Sequence, residues 1–313
     1  MRVIRATAMG MCFGVRDALA AMRAEPRPVE VTVLGELVHN PAVTAELHAR
    51  GFPSAPDASA AGTQAVMITA HGVSDRARAG LQAAGKRIID TTCPLVRRAH
   101  AAGLALARDG RFVVVFGKRA HVEVRGLVGD LPGDEFAVVE SAVEVADWGR
   151  KRIGVIAQTT AVERDFIGVV ERIRVMNAGA DVRPILTVCA PTRDRQAAVE
   201  RLIARVDVLV VVGGRASNNT RQLVERGRAG GVRTLHVESA ADLDPVQFSP
   251  EEIVGVTAGT STLTETADAV VERLEGFWEE CLPVARSVSA IASRSASGSV
   301  SRRAFSLPQA EDE

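Results

Sequence analysis

Cys12, Cys93 and Cys189 are the residues of this chain best suited to chemistry. They lie in MGMCFGVRDAL, IIDTTCPLVRRAH and LTVCAPTRDRQAAV, 81 and 96 residues apart, each where a strand-like run gives way to a helical pattern. No two are close enough for a C-x-x-C zinc or redox motif. Three thiolates brought together from three units can hold a cuboidal iron–sulfur cluster and leave one iron without a protein ligand, open to a substrate oxygen. A lone cysteine is more often a small buried apolar residue. The shared position after a strand and before a helix argues against that for these three. Cys281, in FWEECLPV, falls outside the pattern and reads as structural.

Polar loops recur behind each cysteine. His39 lies 27 residues beyond Cys12, His121 lies 28 beyond Cys93, and Ser217 lies 28 beyond Cys189. A second loop follows in each unit, at His71-Gly72, Gln158-Thr159-Thr160 and Gly259-Thr260-Ser261. Imidazoles donate hydrogen bonds to phosphate oxygens and add charge when protonated. Ser217, Asn218, Asn219 and Ser261 open helical patterns, where hydroxyls, amides and backbone N–H groups can hold an anion. Plain helix capping is the simpler account of either loop taken alone. Glu123 stands two residues after His121 in a strand-like HVEV, so both side chains are expected on one side. Near Thr159 in the next loop, that carboxyl could deliver a proton. His48, His100 and His236 sit in helical or strand patterns and read as structural.

These loops need a scaffold, and the sequence supplies one. VEVTVLGEL, AVMITAH, KRIIDTTC, RFVVVFG, RIGVIAQ, VDVLVVVGG, VRTLHVES and EIVGVTAG read as buried parallel strands. Helical patterns alternate with them, several closed by Gly. The expected class is α/β with parallel sheets: three similar domains, 1–92, 93–188 and 189–282, in a pseudo-threefold trefoil around a central site. Ligands of such sheets bind beyond the carboxyl ends of strands, where all six loops lie. The Ser-, Ala- and Arg-rich tail, 283–313, is expected to be disordered. The chain has 313 residues, 38 basic and 38 acidic, so bulk charge gives no support for nucleic-acid binding. Four cysteines do not make a disulfide scaffold. With no signal peptide or long apolar span, a cytoplasmic, reducing location is expected and no membrane association.

The ordered motifs CFGV, LVHN, AHGVS, DTTCPLV, HVEV, QTT, CAPTRDRQAAV, SNN and AGTS resemble the 4-hydroxy-3-methylbut-2-enyl diphosphate reductases, from about Met1 to about Glu275. The resemblance implies one [4Fe–4S] cluster per chain, held by Cys12, Cys93 and Cys189. It implies reductive removal of the substrate hydroxyl to give isopentenyl and dimethylallyl diphosphates. His39, His71, His121, Ser217, Asn219 and Ser261, with Asn218 beside them, would hold the diphosphate. Thr159 would contact the substrate hydroxyl and Glu123 would relay protons. Reduced ferredoxin or flavodoxin would supply electrons. The family's His-Pro-Glu-Val is His121-Val122-Glu123-Val124 here, Lys118 replaces a common second His, Asn218 replaces a Ser, and the last loop reads Gly259-Thr260-Ser261-Thr262-Leu263. Those departures leave room for a reductase of another allylic diphosphate. A non-catalytic cluster sensor of oxygen or iron is a further alternative, which needs neither Glu123 nor Thr159.

Overall fold

The computed structural model describes residues 1–279. It opens with β1 (Arg2–Arg5) and α1 (Phe13–Ala24), then β2 (Val31–Leu34), α2 (Pro41–Ala49), β3 (Ser54–Ala55), β4 (Ala65–Ile68), α3 (Asp75–Ala83) and β5 (Arg87–Asp90). The middle third runs α4 (Pro94–Arg108), β6 (Phe112–Phe116), α5 (Val122–Val128), β7 (Phe136–Val139), β8 (Arg152–Ala157), α6 (Glu163–Met176) and β9 (Asp181–Pro184). The last third runs α7 (Ala190–Ile203), β10 (Val208–Val212), α8 (Asn218–Ala229), β11 (Arg233–Val237), β12 (Ile253–Ala258) and α9 (Thr264–Glu279). Cys281 and the tail lie outside the described residues.

The strands form three four-stranded parallel sheets, ordered β3-β2-β4-β5, β7-β6-β8-β9 and β1-β12-β10-β11. Every residue of β2, β4, β6 and β10 is buried, because helices cover both faces; this is why these strands are continuous apolar runs rather than alternating ones. The α/β class and the three-unit trefoil expected from the sequence are both present. Among the described residues, no helix is long and apolar enough to cross a membrane.

One boundary differs from the expected division. β1 pairs in register with β12, Arg2 against Ile253 through Arg5 against Val256. The first strand of the 1–92 segment thus completes the third sheet, while α1 packs Val15, Ala18, Leu19 and Met22 into the core of the first. The same hand-over recurs twice. Strand β5 ends the first sheet before α4 packs on the second, where Leu106 meets Val113 and Ile156. Strand β9 ends the second sheet before Ala198, Val199 and Leu202 of α7 join the third. Each cysteine sits at such a crossing.

Candidate active site

The cysteines are the N-cap residues of α1, α4 and α7, and none of the thiols caps its helix with a side-chain hydrogen bond. Caps are usually Ser, Thr, Asp or Asn, whose oxygens serve that purpose; cysteine at all three leaves the sulfurs available. The backbone fixes them in matching fashion. The N–H of Cys12 donates to the Thr260 carbonyl at 3.0 Å, that of Cys93 to Ala70 at 3.1 Å, and that of Cys189 to Thr159 at 2.9 Å. Each cysteine is therefore tied to a polar loop of one unit while its helix belongs to the next. All three are free thiols and line one central cavity.

Space around the sulfurs is kept open by composition. A Cβ on Gly14 would lie 2.5 Å from Cys93 Sγ. Burial pushes the Cys93 thiol up, and that of Cys189 to about 11, against the opposing hydrogen bond between Cys189 Sγ and Thr192 Oγ1 at 3.1 Å. Cys93 and Cys189 thus hold their protons until a cation replaces them. Soft sulfur donors of this kind suit iron–sulfur clusters or zinc. Thr192, fully buried three residues past Cys189, is absent from the sequence-derived site; its spacing within CAPT was the available signal.

The six central strands, two per sheet, deliver the six polar loops to the same cavity. His39 and His71 stack at 4.4 Å between ring centroids, and His121 meets both edge-on at 5.1 and 5.3 Å. Burial and the neighbouring imidazoles hold His71 well below the ordinary histidine range, and burial pushes His121 down to about 3. Both rings are neutral in this state. His39 Nδ1 lies 2.7 Å from Glu36, and its Nε2 is buried without a partner, as is Nε2 of His71. Glu36, three residues before His39, carried no sequence signal.

HVEV is not a strand. His121 caps α5, its Nδ1 accepting from the Glu123 N–H at 3.2 Å, and Glu123 lies in the first helical turn. The β-branched valines misdirect the local reading; the cap and the packing of Val124 and Leu127 beneath β6 override it. Glu123 is 2% exposed. Its Oε1 accepts from the Thr159 N–H at 2.6 Å and its Oε2 from the Thr159 hydroxyl at 2.9 Å. Burial outweighs these bonds and raises its pKa to about 7. Near neutrality this carboxyl holds or releases a proton, as a general acid must.

The opposite wall separates two adjacent asparagines. Asn219 Oδ1 accepts from the Thr260 N–H at 2.9 Å, leaving a buried, unpartnered Nδ2 donor. Asn218 Nδ2 donates to Thr160, and its unpartnered atom is Oδ1, an acceptor ill suited to a phosphate oxygen. Ser217 caps α8 through Thr220, and Ser261 Oγ donates to the His39 carbonyl at 3.1 Å. Lys118 is turned to the surface, 3.3 Å from Glu140, and is not part of this wall. Buried polar atoms are normally paired. A cavity that holds one orphan amide donor and the Nε2 atoms of two imidazoles, which donate once the rings are protonated, beside two hydroxyls, is built for an acceptor-rich guest. One ring nitrogen from each of His39, His71 and His121 lies within 4.8 Å of the other two, and the three could also ligate an ion. Amide N–H groups cannot, so an anion satisfies more of this wall than a cation does.

Comparison with known proteins agrees with this geometry. Residues 3–275 match the family described as LytB protein. The chain is 35% identical over 288 residues to the 4-hydroxy-3-methylbut-2-enyl diphosphate reductase of Solidesulfovibrio magneticus, covering 88% of this chain and all of that one. The Aquifex aeolicus protein of the same name is 35% identical over 283 residues, 88% of this chain and 97% of its own. A solved (E)-4-hydroxy-3-methyl-but-2-enyl diphosphate reductase, the terminal enzyme of the non-mevalonate pathway, superposes with a TM-score of 0.63 at 33% identity, over 88% of this chain and 99% of that one. The Plasmodium falciparum E-1-hydroxy-2-methyl-but-2-enyl-4-diphosphate reductase shares the fold, with a TM-score of 0.79 at 23% identity over 87% of each chain. The chain belongs to the LytB family.

Proposed function

We propose that this protein reduces 4-hydroxy-3-methylbut-2-enyl diphosphate to isopentenyl and dimethylallyl diphosphates at a [4Fe–4S] cluster held by Cys12, Cys93 and Cys189. Family membership implies a metal cofactor. The observation that carries the finer reading is the two-sided cavity: three free thiols from three units, with the unpartnered Asn219 amide donor and the Nε2 atoms of His39 and His71 among the groups facing them. Three sulfurs fit a cluster with one iron left for substrate.

The cluster, when bound, supplies electrons singly and a Lewis-acidic iron for the C–O bond that breaks. The chain's residues do the rest. His39, His71, His121, Ser217, Asn219 and Ser261 hold the diphosphate, and its charge draws protons onto His71 and His121, which burial otherwise keeps neutral. Asn218 ties α8 to the Thr160 loop of the neighbouring unit rather than holding phosphate. Thr159 orients the substrate hydroxyl. Glu123 stores a proton at the carboxyl facing Thr159 and gives it to the departing hydroxide, so that substrate, two electrons and two protons become product and water. Reduced ferredoxin or flavodoxin is the electron donor, and the cytoplasm, where free thiols persist, is the location.

Anaerobic reconstitution with iron and sulfide, then turnover with a chemical reductant and product identification by mass, tests this directly. Isopentenyl and dimethylallyl diphosphates are the expected products. A fully iron-loaded protein that leaves the substrate untouched would overturn the assignment and favour the sensor.

A further inference from the structure

Arg195 has no role in the site as described, yet its guanidinium is placed as if it had one. The residue is 8% exposed and forms no ion pair with a carboxylate among the described residues. Arginine is rarely buried without an anion, because desolvation of the cation is uncompensated. Its bonds go to neutral carbonyls: Nε and Nη2 to Gly10 at 3.0 and 2.6 Å, and Nη1 to Pro191 at 2.8 Å. Gly10 precedes Cys12 by two residues and has φ +74°, a conformation that admits glycine without strain. Pro191 follows Cys189 by two. One planar fork therefore ties the first turn of α7, the helix that Cys189 caps and that carries Arg195 itself, to the loop that leads into Cys12. Burial lowers the Arg195 pKa, and the groups that oppose this most are Cys12 and Cys189.

We infer that Arg195 is the buried counter-ion of the cluster site, holding the Cys12 loop against the N-terminus of the Cys189 helix and favouring the reduced state of the bound cluster. This rests on the cluster reading above. A cluster with three thiolate ligands carries net negative charge and gains more on reduction, so a fixed cation in a low-dielectric site stabilises the reduced form. The same thiolates supply the anion that the guanidinium otherwise lacks. The fork geometry explains why arginine rather than lysine stands here, since a point charge cannot hold Gly10 twice and Pro191 at once.

The test is a redox titration of anaerobically reconstituted protein, with the rate of iron release to a chelator measured alongside. At a fixed ambient potential, Arg195→Met is expected to lower the reduced-to-oxidised ratio at least ten-fold, a shift of about 59 mV for a one-electron couple. Arg195→Lys keeps the charge and loses the fork. Its ratio should stay within about three-fold of wild type, under half that shift on the same scale, while iron is released faster. Should the Met variant not fold, the Lys variant carries the test alone: unchanged iron release would overturn the positioning role, and a ten-fold fall in the ratio would overturn the counter-ion role. If the Met variant folds and titrates like wild type, Arg195 only braces the Cys12 loop against α7 and the inference fails. Wild type that takes up no cluster would instead sink the cluster reading on which this rests.

Discussion

Replacing Glu123 by Gln changes one proton and almost no shape, and the structure sets the size of the effect. The carboxyl is buried, with its pKa raised from the ordinary 4.5 to about 7. Below pH 4.5 it is protonated in folded and unfolded chains alike, and costs nothing. As pH rises the unfolded chain ionises first, so the folded chain must keep the proton or bury a charge. Stability is then lost until pH passes about 7, and the gap between the two values corresponds to about 3 kcal/mol. The amide of the Glu123→Gln variant has no such proton. The difference in unfolding free energy between variant and wild type should therefore swing by about 3 kcal/mol in favour of the variant between pH 4.5 and 8. His71 and His121, whose depressed values add stability as pH rises, are present in both proteins and cancel in the difference. Urea unfolding of the metal-free chains at several pH values measures it. The cluster-loaded variant should bind substrate normally but turn over about 10²–10⁴-fold more slowly, the usual loss for a general acid. Parallel pH–stability curves for the two proteins would refute the buried, neutral carboxyl. Turnover within about two-fold of wild type, well below that range, would refute its role as proton source.

Three further outcomes follow from the site. Cys12→Ser, Cys93→Ser or Cys189→Ser should abolish stable iron loading or activity, measured by iron content and visible absorbance after reconstitution, whereas Cys281→Ser should do little. His71→Ala and Ser261→Ala should each weaken substrate binding about ten-fold or more, as loss of a charge-assisted hydrogen bond implies, with the cluster spectrum intact; unchanged affinity in both would place the diphosphate elsewhere. Gly14→Ala, whose Cβ would lie 2.5 Å from Cys93 Sγ, should impair cluster incorporation while leaving the far-UV circular dichroism unchanged. Wild-type iron content in that variant would mean the thiol can move aside at little cost.

The sequence by itself determined the class of fold and the number of units, and the residues it singled out all line the central cavity. Runs such as FVVVF and VLVVV are buried on both faces, and that requirement is written into consecutive residues. The cysteine-to-loop intervals are local too, since each unit is one length of chain from helix to strand to loop. Tertiary structure decided what depends on distant pairing. No local pattern reveals that Arg2–Arg5 completes the sheet of β12, at the far end of the described chain, so that each cysteine bridges two units. The valines of HVEV favour a strand locally, and only packing beneath β6 makes them a helix. Asn218 and Asn219 are equivalent in sequence; the partners each finds across the cavity leave one an acceptor and the other a donor. The raised pKa of Glu123 and the buried fork of Arg195 belong to the same category, because burial is a property of everything packed around a residue and not of its neighbours in the chain.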